Sequence, residues 1–186
     1  EGATRLRAAI RHGAGLDMVP MEAATRAGVL VANVPGANAR TVAEYIFFAA
    51  MALLRRFRPI DRDLRTKGWH AGRTETVRGN ELAGRTLGIV GMGNIGRAAA
   101  SIAMAGFGLN VIATSRSRQG LPEGVGWRTL EEVMAGSDIV AICCPLTPET
   151  RGMIDADRIG RMKPDAILIN VARGAIVDDD ALLAAL

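Results

Sequence analysis

From Arg85 onward, apolar positions fall into short dense runs separated by stretches with helical spacing. "TLGIV" (Thr86–Val90), "NVIAT" (Asn110–Thr114), "DIVAICC" (Asp138–Cys144) and "AILIN" (Ala166–Asn170) are nearly continuous apolar blocks of strand length. Such blocks suit strands buried on both faces, whereas a strand with one wet face alternates. Between them, Ile95–Ala105 is a run of small residues with helical periodicity. Thr129 and Glu132 have capping-box spacing, and helices are expected near Asp155–Met162 and after the acidic cluster Asp178–Asp180. Residues 115–128 are expected to be loop. Apolar strands alternating with helices predict a doubly wound α/β fold with a parallel sheet.

The first half is less regular. Leu6–Arg11 reads as a strand running into a loop at Gly13 and Gly15, followed by a helix over Pro20–Arg26 that Gly28 closes, and by a strand in "VLVANVP". A long helical segment starts at Asn38 or at Thr41, which has capping-box spacing to Glu44, and Pro59 is expected to divide it. Residues 67–84, polar and Gly-rich, are expected to form a surface connection. "YIFFAAMALL" from Tyr45 is too short to span a bilayer and reads as a buried helix.

Charge and composition narrow the functions. The net charge of +4 is carried by scattered arginines, with Lys67 and Lys163 the only lysines, and aromatics make up 4% of residues. A nucleic-acid surface needs a basic stripe with stacking residues, so none is expected. The two cysteines, Cys143 and Cys144, are adjacent and have no His or Cys at zinc spacing, so no metal site and a reduced, cytoplasmic protein are expected. The N-terminus has no signal-peptide core.

The chemistry concentrates in "GIVGMGNIGRAAASIA", where Gly91, Gly93 and Gly96 have G-x-G-x-x-G spacing between a strand and a helix. In a dinucleotide site Gly91 permits the tight turn and Gly93 lets the backbone approach a pyrophosphate. Gly96 lets the helix lie close to the sheet, while Met92, Asn94 and Ile95 complete the cradle at the helix N-terminus. An ordinary glycine turn is the competing reading, but the flanking strands favour the cradle. At the end of the next strand an NAD site usually has an acid that holds a ribose. Here the chain reads Ser115, Arg116, Ser117, Arg118. Hydroxyls and guanidinium groups suit a 2′-phosphate, so NADP(H) is favoured within an NAD(P) site; solvated loop arginines are the alternative.

"LAGRTLGIVGMGNIGR", "CCPLTPETRGMI" and "MKPDAILINVARGAIVDDDALLAAL" together resemble the D-isomer-specific 2-hydroxyacid dehydrogenases, as does "HGAGLDMVPMEAATRAGVLVANVPGANARTVAEY". The resemblance covers nearly the whole chain. It implies a partial flavodoxin-like substrate domain over residues 1–34 and a Rossmann NAD(P)-binding domain over 35–186, incomplete at its C-terminus. It also implies hydride transfer between a nicotinamide and a small D-2-hydroxy or 2-oxo acid, with glyoxylate or hydroxypyruvate reduction by NADPH the favoured case. Arg173 is then the catalytic arginine that holds the acid, and Gly13, Ala14 and Gly15 form the loop that meets its carboxylate. Val171 and Ala172 line the nicotinamide, while Cys144, Pro145 and Thr150 border the cofactor. The family's acid–base histidine and its glutamate follow the "ARG" motif, beyond Leu186, so the chain is expected to be an internal piece of a longer protein and inactive alone. By position, His12 (a loop-edge residue) and His70 (a solvated one) are not that histidine. A homodimer built on residues 39–67 and the loop after Trp69 is expected. A non-catalytic dinucleotide sensor, like the corepressor that shares this fold, is the alternative, and a downstream Glu followed by His would discriminate.

Overall fold

The computed structural model describes residues 5–186 and contains two parallel sheets. The smaller pairs β1 (Ala8–Ile10) with β2 (Leu30–Ala32), joined through α1 (Met21–Arg26). The larger contains β3 (Thr86–Val90), β4 (Asn110–Thr114), β5 (Val125–Trp127), β6 (Ile139–Ile142) and β7 (Ile167–Asn170) in the order β5-β4-β3-β6-β7, all parallel. Strand order reverses at β3, which opens a crevice between the C-terminal ends of β3 and β6.

Dense apolar strands are explained by a core on each face. Leu87, Ile89, Val111, Ala113, Ile139 and Ala141 face one core, with α2 (Ala39–Leu54) and α5 (Asn94–Phe107) packed over it. Val90, Val140 and Ile142 face the other, beneath α6 (Leu130–Gly136). Successive side chains point to opposite faces, so both phases of each strand must be apolar. The capping box at Thr129 forms as expected: its hydroxyl accepts from Glu132 N, and Glu132 Oε2 accepts from Thr129 N. Asp155 and Asp178 cap α7 (Ala156–Gly160) and α8 (Asp179–Ala185) in the same side-chain-to-backbone manner.

Several expectations are corrected. The first strand is trimmed to β1, and β6 ends before the cysteines. Helix α2 begins after Asn38, so Thr41 lies within its first turn and Glu44 pairs with Arg40 at 2.8 Å instead of closing a capping box. The helix break comes before Pro59, at Arg56, the one non-glycine residue with positive φ (54°) among those described. Helix α3 (Phe57–Lys67) then carries Pro59 in its first turn, where a missing N–H removes no helical hydrogen bond. Residues 67–84 contain a further helix, α4 (Trp69–Thr76), fastened to the break by Arg56 and Glu75 at 2.6 Å. Residues 125–127 form β5, an edge strand too short and Gly-interrupted to announce itself by periodicity.

Candidate functional site

The loop between β3 and α5 closes the crevice at its base. Gly91 has φ of 104°, and a Cβ there would lie 2.7 Å from Cys144 N. A Cβ on Gly96 would collide with the carbonyl oxygen of Gly91, so the first turn of α5 sits directly on the loop. Gly93 differs: a Cβ there would meet no protein atom within 4 Å. Its missing side chain leaves open the space in front of the helix.

Gly93 is also the N-cap of α5 and brings no side-chain acceptor. The opening N–H groups of a helix have no partner within it, so those of Asn94 and Ile95 are offered outward with the positive end of the helix dipole. An uncapped helix start, a glycine turn that admits no side chain at Gly91, and vacant space before Gly93 fit a dinucleotide's pyrophosphate. Met92 contributes only backbone here, because its side chain is buried in the core under α2.

Beyond β4, the Ser115 hydroxyl donates to Ser117 O at 2.5 Å and Ser117 Oγ accepts from Gln119 N at 3.1 Å, so the loop is folded back on itself. Arg116 is exposed, and its field adds to hydrogen bonding by Thr147 in holding the Glu149 carboxyl below its usual range. Arg118 lies over the Trp127 ring, 3.9 Å from its centroid. Stacking uses the guanidinium face and leaves the N–H groups in its plane free for an anion.

On the opposite wall, Cys144 packs over Gly91, and burial pushes both thiols upward, Cys143 to about 12. Neither is a nucleophile at neutral pH; they pack. The Thr150 hydroxyl donates to Pro145 O at 2.8 Å and accepts from Thr147 N at 2.7 Å, so it shapes the wall from within. The N–H groups of Val171 and Ala172 are taken by Ile142 O and Asn170 Oδ1.

The two sheets meet at Arg173. Its guanidinium crosses to the loop after β1, donating from Nε to Asp17 Oδ2 at 2.9 Å and from Nη2 to Asp17 Oδ1 at 2.6 Å. A Cβ on Gly15 would overlap Nη2, so only glycine admits the arginine there. Hydrogen bonding from Arg173 lowers the Asp17 pKa to about 2 and raises that of the guanidinium, so both are charged at neutral pH. A cavity of about 140 Å³, lined by Ala14, Gly36, Asn94, Ile95 and Cys143 among others, joins the Gly13–Gly15 loop to the start of α5. The glycine loop, against which Arg173 is seated, and the uncapped start of α5 thus border one cavity. His12 and His70 are both exposed.

Three residues of this cleft escaped the sequence reading. Asn33 donates to Ala14 O at 2.7 Å and shapes the glycine loop. Asn170 donates to Arg173 O at 2.8 Å while accepting from Ala172 N, which clamps the turn carrying the arginine. Asp17 is the third; the spacing G-A-G-L-D places an acid just past the loop, and that was its only signal. Downstream of Arg173, Gly152 N donates to Ala175 O and Ile154 N to Ile176 O, and Ile154 and Val177 form a parallel bridge, so the turn is held on that side too.

Residues 47–186 match the D-isomer specific 2-hydroxyacid dehydrogenase, NAD binding domain. A glyoxylate reductase of Pyrococcus furiosus is 40% identical across all of this chain, which spans 57% of that protein's length. The D-3-phosphoglycerate dehydrogenase of Bacillus subtilis is 39% identical over 98% of this chain and 35% of its own length. Among solved structures, the NAD-dependent formate dehydrogenase of Staphylococcus aureus in complex with NAD superposes with a TM-score of 0.86 at 34% identity, over 99% of this chain and 55% of that one.

Proposed function

Because the chain belongs to the D-isomer specific 2-hydroxyacid dehydrogenase family, we propose that the full-length protein is an NADP(H)-preferring oxidoreductase acting on a small 2-oxo or D-2-hydroxy acid, with glyoxylate or hydroxypyruvate as the acid. The observation that carries this reading is Arg173 seated against Gly15, in the loop that shares a cavity with the uncapped start of α5. Residues 1–34 supply part of the substrate side, and 35–186 the cofactor side.

When bound, the nicotinamide supplies the hydride that reduces the acid at C2. The chain's residues do the rest by position and charge. Amides of Asn94 and Ile95 would hold the diphosphate, and Ser115, Arg116 and Ser117 would receive the 2′-phosphate beside Arg118. The amides of Gly13, Ala14 and Gly15 meet the substrate carboxylate. Arg173, permanently cationic, stabilises negative charge as it develops on the carbonyl oxygen. Asp17 is not the proton donor, since a group with pKa about 2 is ionised at neutral pH. That role falls to the family's histidine, outside residues 1–186. Exposed Tyr45, Phe48, Leu53 and Phe57 on α2 and α3, with Trp69 on α4, support a homodimer through this face. Free thiols at Cys143 and Cys144 suit a reducing, cytoplasmic setting.

The test is steady-state turnover by the full-length protein. Oxidation of NADPH by glyoxylate or hydroxypyruvate is expected, with a clear preference over NADH. Arg173→Ala should lower kcat/KM by about 10²–10³-fold, the effect of losing one preorganised donor to a developing oxyanion. No turnover with any 2-oxo acid would overturn the reading, and equal affinity for NADH and NADPH would overturn the cofactor preference.

A further inference from the structure

Arg173 is held at three of its N–H groups. Asp17 takes the fork formed by Nε and Nη2, and Ala172 O accepts from Nη1 at 3.0 Å. A guanidinium has five N–H groups, so one remains on Nη1 and one on Nη2. We propose that Asp17 is a positioning residue for the reaction: its carboxylate fixes the guanidinium plane so that this remaining pair faces the substrate. The proposal rests on the function assigned to Arg173 above.

Three observations converge on Asp17. The pair is bidentate, and a two-pronged contact fixes orientation as well as distance, which a single hydrogen bond does not. Its partners are 156 residues apart in sequence and lie in loops that follow strands of different sheets, so the contact joins the substrate side to the cofactor side. Gly15 must lack a side chain for the contact to exist, and the Asp17 carboxylate itself lies 2.8 Å from where a Gly15 Cβ would sit. The glycine loop is therefore built around the ion pair. Arg173 and Asp17 keep 39% and 32% of their side-chain surface exposed, so water screens the attraction and its value is geometric more than energetic.

A competing role is that Asp17 guards the arginine, occupying the place of a substrate carboxylate. The two roles give opposite kinetics. If Asp17 orients Arg173, removing its charge leaves the cleft more cationic, so an anionic acid binds at least as well while the transition state loses an aligned donor. For Asp17→Asn in the full-length enzyme with NADPH, a fall in kcat of about tenfold or more with KM no higher than wild type is expected. Any other combination overturns the proposal, including a kcat equal to or above wild type, which is the guard's signature. Should Asp17→Asn fail to fold, Asp17→Glu, which keeps the charge and moves it by one methylene, is judged by kcat alone: a fall supports the proposal and an unchanged kcat overturns it. A readout independent of turnover is the ¹⁵Nε–H resonance of Arg173, identified by its loss in Arg173→Lys. It is expected to be sharp in the wild type and broadened in Asp17→Asn; an unchanged signal overturns the proposal. A wild-type protein that reduces no 2-oxo acid yet shows this ordered resonance would sink the proposed function and leave the ordering of Arg173 standing.

Discussion

Gly91 and Gly93 lack side chains for different reasons, and the difference is measurable. At Gly91 the protein itself forbids a Cβ, through a left-handed backbone and the approach of Cys144. Gly91→Ala should therefore lower stability by about 1–3 kcal/mol, read from a denaturant melt. At Gly93, φ is −78° and a Cβ meets nothing. Gly93→Ala should melt like the wild type yet weaken NADPH binding by about tenfold, or ~1.4 kcal/mol, in a fluorescence titration. A Gly93→Ala protein with undiminished affinity would mean the ligand does not lie against this turn. The contrast also shows what a sequence reveals at this scale. Spacing between a strand and a helix marked the glycine triplet, and resemblance in the "NVARG" segment marked Arg173. Asp17, Asn33 and Asn170 went unread because their importance lies in hydrogen bonds to Arg173, Ala14 O and Ala172 N, and folding brings the most distant of these partners together.

Among the elements, those with their own local signal were legible and those held by neighbours were not. Strands β3, β4, β6 and β7 are apolar on both faces, and the helix starts at Thr129, Asp155 and Asp178 have side chains that cap them. Strand β5 has neither feature and exists because β4 offers it an edge. Helix α4 has a polar sequence and is secured by Glu75 to Arg56. Pro59 misled because proline breaks a helix only from its interior. Two substitutions separate these cases by thermal melting. Thr129→Ala, which removes the hydroxyl arm of the capping box and leaves the backbone N–H arm to Glu132, should destabilise by about 1 kcal/mol. Pro59→Ala, in the first turn of α3, should change stability by less than about 0.5 kcal/mol; a large loss there would show that the ring itself packs against something essential.

For the molecule as a whole, the exposed face of α2 and its neighbours is the feature a lone chain leaves unexplained. Tyr45 and Phe48 stand 6.0 Å apart, ring to ring, on that face, with Phe57 and Trp69 also exposed. The full-length protein should have the mass of a dimer in light scattering, and Phe48→Glu should shift it to a monomer; a monomeric wild type would rule the interface out. Sequence pattern read "YIFFAAMALL" as a buried helix, whereas Tyr45, Phe48 and Leu53 are exposed, since an apolar run does not distinguish a core from a surface that another subunit covers. The clamped turn around Arg173 bears on how the cleft is held. Tied upstream to Asn170 and downstream to residues 152–154, the arginine is stationary relative to the larger sheet. With the arginine fixed there, its two-pronged bond to Asp17 fastens the smaller sheet's loop to the larger sheet, so a change in that one contact alters how the two halves of the cleft are held together.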